Sequence, residues 1–125
     1  MWREIIIICF IVIIIFSANF IILNLLKDST KELEEILEQV ISKLDNVEES
    51  KQEIYNFNEK WDQISKIWAT IVSHQELDQI EISIISAKKA IENEDKDNAV
   101  IELGKLEFLL KHIIEKEALL LKNIF

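Results

Sequence analysis

Proline is absent from the 125-residue chain, and Gly104 is its only glycine. Almost no residue can therefore make a tight turn with positive φ or punctuate short strands, so a few long helices are favoured over an architecture of many hairpins. There is no glycine loop to cradle a phosphate, and no serine stands in a Gly-x-Ser-x-Gly elbow. The one cysteine, Cys9, lies inside an apolar run, which removes it from nucleophilic chemistry in water and from any statement about redox compartment. Clusters of lysine or arginine are also missing: 14 basic residues face 23 acidic ones, a formal net charge of −9. Nucleic acid and anionic lipid surfaces both attract clustered positive charge, so neither is an expected partner. The acidity reads as a solvated helix surface, which leaves basic partners or cations open.

Half of the residues are apolar, enough for one packed domain without disulfides or metals. They are unevenly spread. Residues 5–16 are the unbroken run IIIICFIVIIIF, FIILNLL extends it to Leu26, and only Ser17, Asn19 and Asn24 interrupt it with polar groups. A helix over residues 5–26 is about 33 Å long, which matches a hydrocarbon core of about 30 Å. This predicts one transmembrane helix, with the lipid bilayer as partner of residues 5–26. A cleaved signal peptide fits less well, because cutting after Ala18 would put bulky Phe16 where a small residue is wanted and leave FIILNLL as an apolar tail. A lipoprotein signal is disfavoured too, since Cys9 follows Ile8 within the run. Arg3 on one side and Lys27 and Lys31 on the other nearly balance the positive-inside count. A short tail before a first apolar segment commonly stays in the cytoplasm. The expectation is a single-pass protein of the cell membrane with residues 27–125 extracytoplasmic.

Beyond the anchor, Ser29-Thr30-Lys31-Glu32 has the form of a capping box and predicts a helix start, followed by apolar Leu33, Ile36, Leu37, Val40, Ile41 and Leu44 at steps of three and four. Asp45 and Asn46 suggest a turn. Ile54, Phe57, Trp61, Ile64, Trp68 and Ile71 form a stricter stripe on a second helix. Residues 73–76, Ser-His-Gln-Glu, offer another capping box ahead of Leu77, Ile80, Ile84, Ala87 and Ile91. A polar break over residues 92–97 follows, in which Asp95 or Asp97 can cap a fourth helix apolar at Ala99, Leu103, Leu106, Leu110 and Ile113. Val100, Ile101, Phe108, Leu109 and Ile114 widen that face, which makes this helix the candidate for a central one. Gly104 inside it suggests the close approach of a neighbour such as an indole. Residues 115–125 read as a short last helix whose apolar tip, Ile124 and Phe125, docks on the core or on a partner. The predicted fold is all-α: a transmembrane anchor over 1–26, then an antiparallel bundle of about four helices over the acidic domain 27–125.

Chemistry has few places to reside. The two histidines, His74 and His112, each have carboxylates nearby, Glu76 for the first and Glu115 and Glu117 for the second, and such a set would bind zinc if the helix ends converged. His-x-Glu is not a helical ligand spacing, however, and polar capping explains these residues more simply. Individual carboxylate pairs mean little among 23 acids. No cofactor is implied and an enzyme is not expected. Trp61 and Trp68 lie on a stripe that is ordinarily core; the alternative is a partner surface or a groove for an apolar ligand. Asn19 suits a hydrogen bond to another membrane helix.

The order of features resembles one known family: the apolar anchor, Trp61 and Trp68, His74-x-Glu76, the acidic turn at residues 94–97, LEFLLKHI ending at Ile113, Glu115-Lys116-Glu117, and Asn123-Ile124-Phe125. It is similar to domain of unknown function 4363, small N-terminally membrane-anchored helical proteins of spore-forming Gram-positive bacteria. The resemblance implies a helical domain of uncharacterised role, in which Trp61, Trp68, His74, Glu76, His112 and Asn123 match recurring positions and no activity attaches to them. It also implies an encoded neighbourhood of multi-pass membrane proteins, which suits an accessory subunit. Many relatives carry proline where this chain has Ile114. The functional expectation is a structural or accessory module that binds another membrane protein, with Trp61, Trp68, Asn123 and Phe125 as partner or groove candidates and a homo-oligomer left open. The alternative is a metal-binding hydrolase or cation sensor using His74, Glu76 and His112.

Overall fold

The computed structural model describes residues 1–124, including every side chain except those of Leu121, Asn123 and Ile124. Four helices follow in order: α1 (Trp2–Ser42), α2 (Val47–Trp68), α3 (His74–Glu92) and α4 (Lys96–Ile124). No strand occurs among the described residues, as the want of turn residues implies.

The apolar run and the first wall of the bundle are a single helix. α1 is 41 residues long, and Ser29 sits in its interior rather than at its start. A capping side chain needs orphan backbone N–H groups, which exist only at a helix end. With neither proline nor glycine between Leu26 and Ser29, the helix propagates through the capping-box sequence and leaves nothing there to cap.

The later helix starts fall where sequence places them, whereas α2 ends at Trp68, so that Ile71, expected on its stripe, lies in the turn that follows. Asn46 caps α2, its side chain accepting from the Glu49 N–H at 3.3 Å. Ser73 caps α3 by accepting from the Glu76 N–H at 3.4 Å. Asp95 accepts from the Asn98 N–H at 3.2 Å at the start of α4. Between α3 and α4, the Glu94 N–H donates to the Ile91 carbonyl and the Asp95 N–H to the Ala90 carbonyl. This is a Schellman closure, with Glu94 at φ 57° in the left-handed position that glycine usually takes. The segment over 115–124 is no separate helix but the continuation of α4; Ile114 keeps the N–H that a proline would lack.

The helices form a ring, α1 against α2 and α4, and α3 against α2 and α4. Neighbours run antiparallel. Lys43 pairs with Glu53 and Lys60 with Glu32, each at 2.9 Å, across α1 and α2. The Lys88 ammonium lies 4.9 Å from the centre of the Tyr55 ring across α2 and α3. Lys116 meets Glu76 at 2.8 Å across α3 and α4, and Lys96 pairs with Asp45 at the far end. Lying at or near the surface, these pairs fix register more than they stabilise, and exposed ion pairs contribute roughly 0–1 kcal/mol each. The core supplies the stability: Leu26, Leu33, Leu37 and Val40 of α1 face the predicted stripes of α2, α3 and α4, all buried apart from the half-buried Ile71.

Two readings of α4 are corrected. It is one member of the ring rather than its centre, because Val100, Ile101 and Phe108, which widen its apolar face, point outward. Gly104 also faces outward, and a Cβ built on it would meet nothing within 4 Å. No indole approaches it. Gly104→Ala should therefore stabilise the protein by about 0.5–1 kcal/mol, by helix propensity and reduced unfolded-state entropy alone. Thermal unfolding in detergent reads this as a rise in Tm; a fall would mean that the position is packed.

Candidate functional site

Antiparallel alternation gathers four helix segments at one end of the bundle: residues 26–33 of α1, the end of α2, the start of α3, and α4 near Lys116. This is the end from which the apolar run emerges. Trp61 and Trp68 occupy its interior, both 0 % exposed, with ring centroids 5.7 Å apart and planes at 87°. Seven residues on one helix bring the two rings to the same side, and the edge-to-face contact adds about 0.5–1.5 kcal/mol to their burial.

This end also carries the bundle's unsatisfied polarity. Thr30 Oγ1, Trp61 Nε1, Trp68 Nε1 and Glu76 Oε2 are buried without a hydrogen-bond partner among the described residues. An orphaned buried group ordinarily costs about 1–3 kcal/mol, which sets these four atoms apart from the satisfied polar groups around them. Glu76 places one carboxylate oxygen on Lys116 at 2.8 Å and turns the other inward. Hydrogen bonding to Glu76 raises the pKa of Lys116. Burial, and then the charge of Glu76, raise that of Glu117. Sequence reasoning singled out Glu76 but not this association. Lys116 and Glu117 stand out in the sequence only as neighbours of His112 and in the Glu115-Lys116-Glu117 pattern, and only the packing of α3 on α4 brings them to Glu76.

The raised carboxyl of Glu117 has a definite sign. Its ionised form is disfavoured in the fold, so its contribution to stability rises as pH falls through the elevated folded value toward the ordinary carboxylate range. Glu117→Gln mimics the protonated state. The variant should be the more stable protein at neutral pH, with its advantage shrinking as pH is lowered and vanishing below the unfolded pKa. Denaturation of both proteins across this range checks the expectation; an advantage independent of pH would reject it.

The proposed metal ligands do not converge. His74 is the first residue of α3 and exposed, whereas His112 is exposed on α4 with its ring stacked on Phe108 at 5.8 Å and 12°. Glu76 is committed to Lys116, and Glu115 is exposed beside Lys111 and Ile114. Among the described residues no group of three or more His, Cys, Asp or Glu side chains stands close enough to hold a metal ion. The reason is local: residues two apart on a helix diverge, so His74 and Glu76 cannot serve one centre from their positions on α3. Phe125 lies outside the described residues, as does the Asn123 side chain.

A second surface is on the outside. Ile82 and Ile85 of α3 and Ile101 and Phe108 of α4 are exposed large apolar residues, with Phe108 at 66 %. Ile82 and Phe108 share a shallow groove with Ser83 and Leu109. Ile101, Phe108 and His112 follow one another at helical steps on α4; in the sequence Ile101 and Phe108 suggest a widened inward face, and the structure turns both outward.

No curated protein and no solved structure matches the chain. One family does, and the match runs from residue 20 to residue 124, from within the apolar run through all four helices. The chain that builds this ring, with its paired tryptophans and its continuous first helix, belongs to the family described as Domain of unknown function (DUF4363).

Proposed function

We propose that this protein is a single-pass membrane protein whose extracytoplasmic helical bundle serves as a non-catalytic accessory module, binding another membrane protein through the outer face of α3 and α4. The observation that carries the reading is the group of exposed apolar side chains Ile82, Ile85, Ile101 and Phe108 on the outer face of α3 and α4 of a strongly acidic chain. Apolar side chains grouped on a soluble face mark interaction surfaces more often than solvent contacts. The anchor rests on α1, the one helix among the described residues long and apolar enough by length and composition to cross a membrane; its most apolar stretch is not covered by the rest of the chain. The acidic surface disfavours nucleic acid, and the α3–α4 face suits an apolar helix of a neighbouring subunit.

A photocrosslinking amino acid at Phe108, in cells of the source organism, tests the proposal. Capture of a defined membrane protein, lost in an Ile82→Asp variant of unchanged thermal stability, is the expected result. Recovery of the protein uncrosslinked at every growth stage would sink the interaction reading.

A further inference from the structure

The bundle's lower end and the membrane span overlap. Every residue of α1 up to Ala18 is exposed, and partial burial begins at Asn19, Ile22 and Leu23 before Leu26 joins the core. α4 provides part of this cover: its Ala118 and Lys122 share a groove with Phe16, Asn19, Phe20 and Leu23. The exposed apolar helix from Ile5 to Ala18 measures only about 21 Å, against a hydrocarbon core of about 30 Å. A bilayer of ordinary thickness entered at Ile5 therefore reaches to about Asn24, past the level at which α4 ends.

We infer that the last two turns of α4 are submerged in the bilayer, so that the domain is seated in the lipid instead of standing above it. The occupant of the apolar surface around the end of α4 is the acyl-chain region of the membrane. Leu119 and Leu120 are 57 % and 46 % exposed. They lie on a stretch, ALLLKNIF over 118–125, that has no acidic residue although the chain has 23 acids in all. Lys122 is exposed, and a long aliphatic stem lets its ammonium reach the headgroups from below. Continuity with the α1 span argues for lipid over other occupants: leaving the end of α4 in water would require the membrane to stop near Phe16, with Phe20 and Ile21 exposed to water as well. The family match begins at residue 20, close to where α1 meets α4, as expected if this junction belongs to the domain.

The inference rests on the membrane reading of α1, and one experiment separates the two. In the full chain carrying Cys9→Ser, a single cysteine is placed by Leu120→Cys, Leu119→Cys, Ile11→Cys or Ile101→Cys. Each is labelled with an environment-sensitive fluorophore and reconstituted into phosphatidylcholine vesicles. Lipids bearing a nitroxide near the headgroup end of the chain should quench the probes at 119 and 120 several-fold more than the probe at 101, and mid-chain nitroxides should quench the probe at 11. If the probe at 11 is quenched while those at 119 and 120 behave like that at 101, α4 is not submerged and the anchor stands. If the probe at 11 is not quenched, the anchor itself fails. Disulfide formation between copies of the unlabelled Leu120→Cys protein on addition of an oxidant, with no quenching of the labelled protein by lipid, would assign this surface to a dimer and overturn the inference. All four sites are exposed, so substitution leaves the core intact.

Discussion

Trp68→Ala will destabilise the bundle by about 3–5 kcal/mol, a large part of the roughly 5–15 kcal/mol that holds a domain of this size together. The indole is wholly buried, and its truncation opens a cavity beside the equally enclosed Trp61 ring 5.7 Å away. The lost edge-to-face contact adds to the lost burial. Trp68→Phe separates packing from polarity. It retains an aromatic ring and removes an indole N–H that has no hydrogen-bond partner among the described residues, so it should cost much less than the alanine variant. Denaturant unfolding in detergent, with near-ultraviolet circular dichroism for the tryptophan environment, measures both. An alanine variant within about 1 kcal/mol of the parent would be inconsistent with a packed core at this position.

Asp28→Pro is the second large effect. Asp28 is exposed, so its side chain contributes no packing, and Asp28→Ala should be close to neutral. Proline there removes a backbone donor and clashes with the preceding turn, at about 3 kcal/mol or more inside a helix. The two accounts of α1 diverge here. If Ser29 capped a new helix, residue 28 would precede the cap and tolerate proline; in a continuous α1 it lies within the interior of the helix. The expected outcome is a strongly destabilised bundle, together with greater independence of the apolar segment, visible as altered spin-label distances between positions 11 and 101. A neutral Asp28→Pro would restore the break that the capping box suggests.

Much of the architecture was legible in the residues. The absence of proline and the single glycine leave helices as the remaining economy, and the steps of three and four at Trp61, Ile64 and Trp68, or at Leu103, Leu106 and Leu110, name the buried stripes. Caps at Ser73 and Asp95, and the turn at Asn46, were readable because they coincide with breaks in apolar periodicity. Ser29 has the same local chemistry without such a break, and a motif alone does not end a helix. The family was recognisable from the order of its features, and the match over residues 20–124 agrees.

What the residues do alone is short-range: periodicity, propensity and length dictate helices, their inward faces and an apolar segment long enough to cross a bilayer. Long-range placement is a different matter, because it depends on how four amphipathic helices share one core. Packing turned Phe108 and Ile101 outward, left Gly104 in open space, gathered no metal-holding group of His, Cys, Asp or Glu among the described residues, drew Glu76 to Lys116, and laid the end of α4 beside the apolar run. A helix with apolar residues on more than one side can bury only one side against its neighbours, and the choice belongs to the ring as a whole.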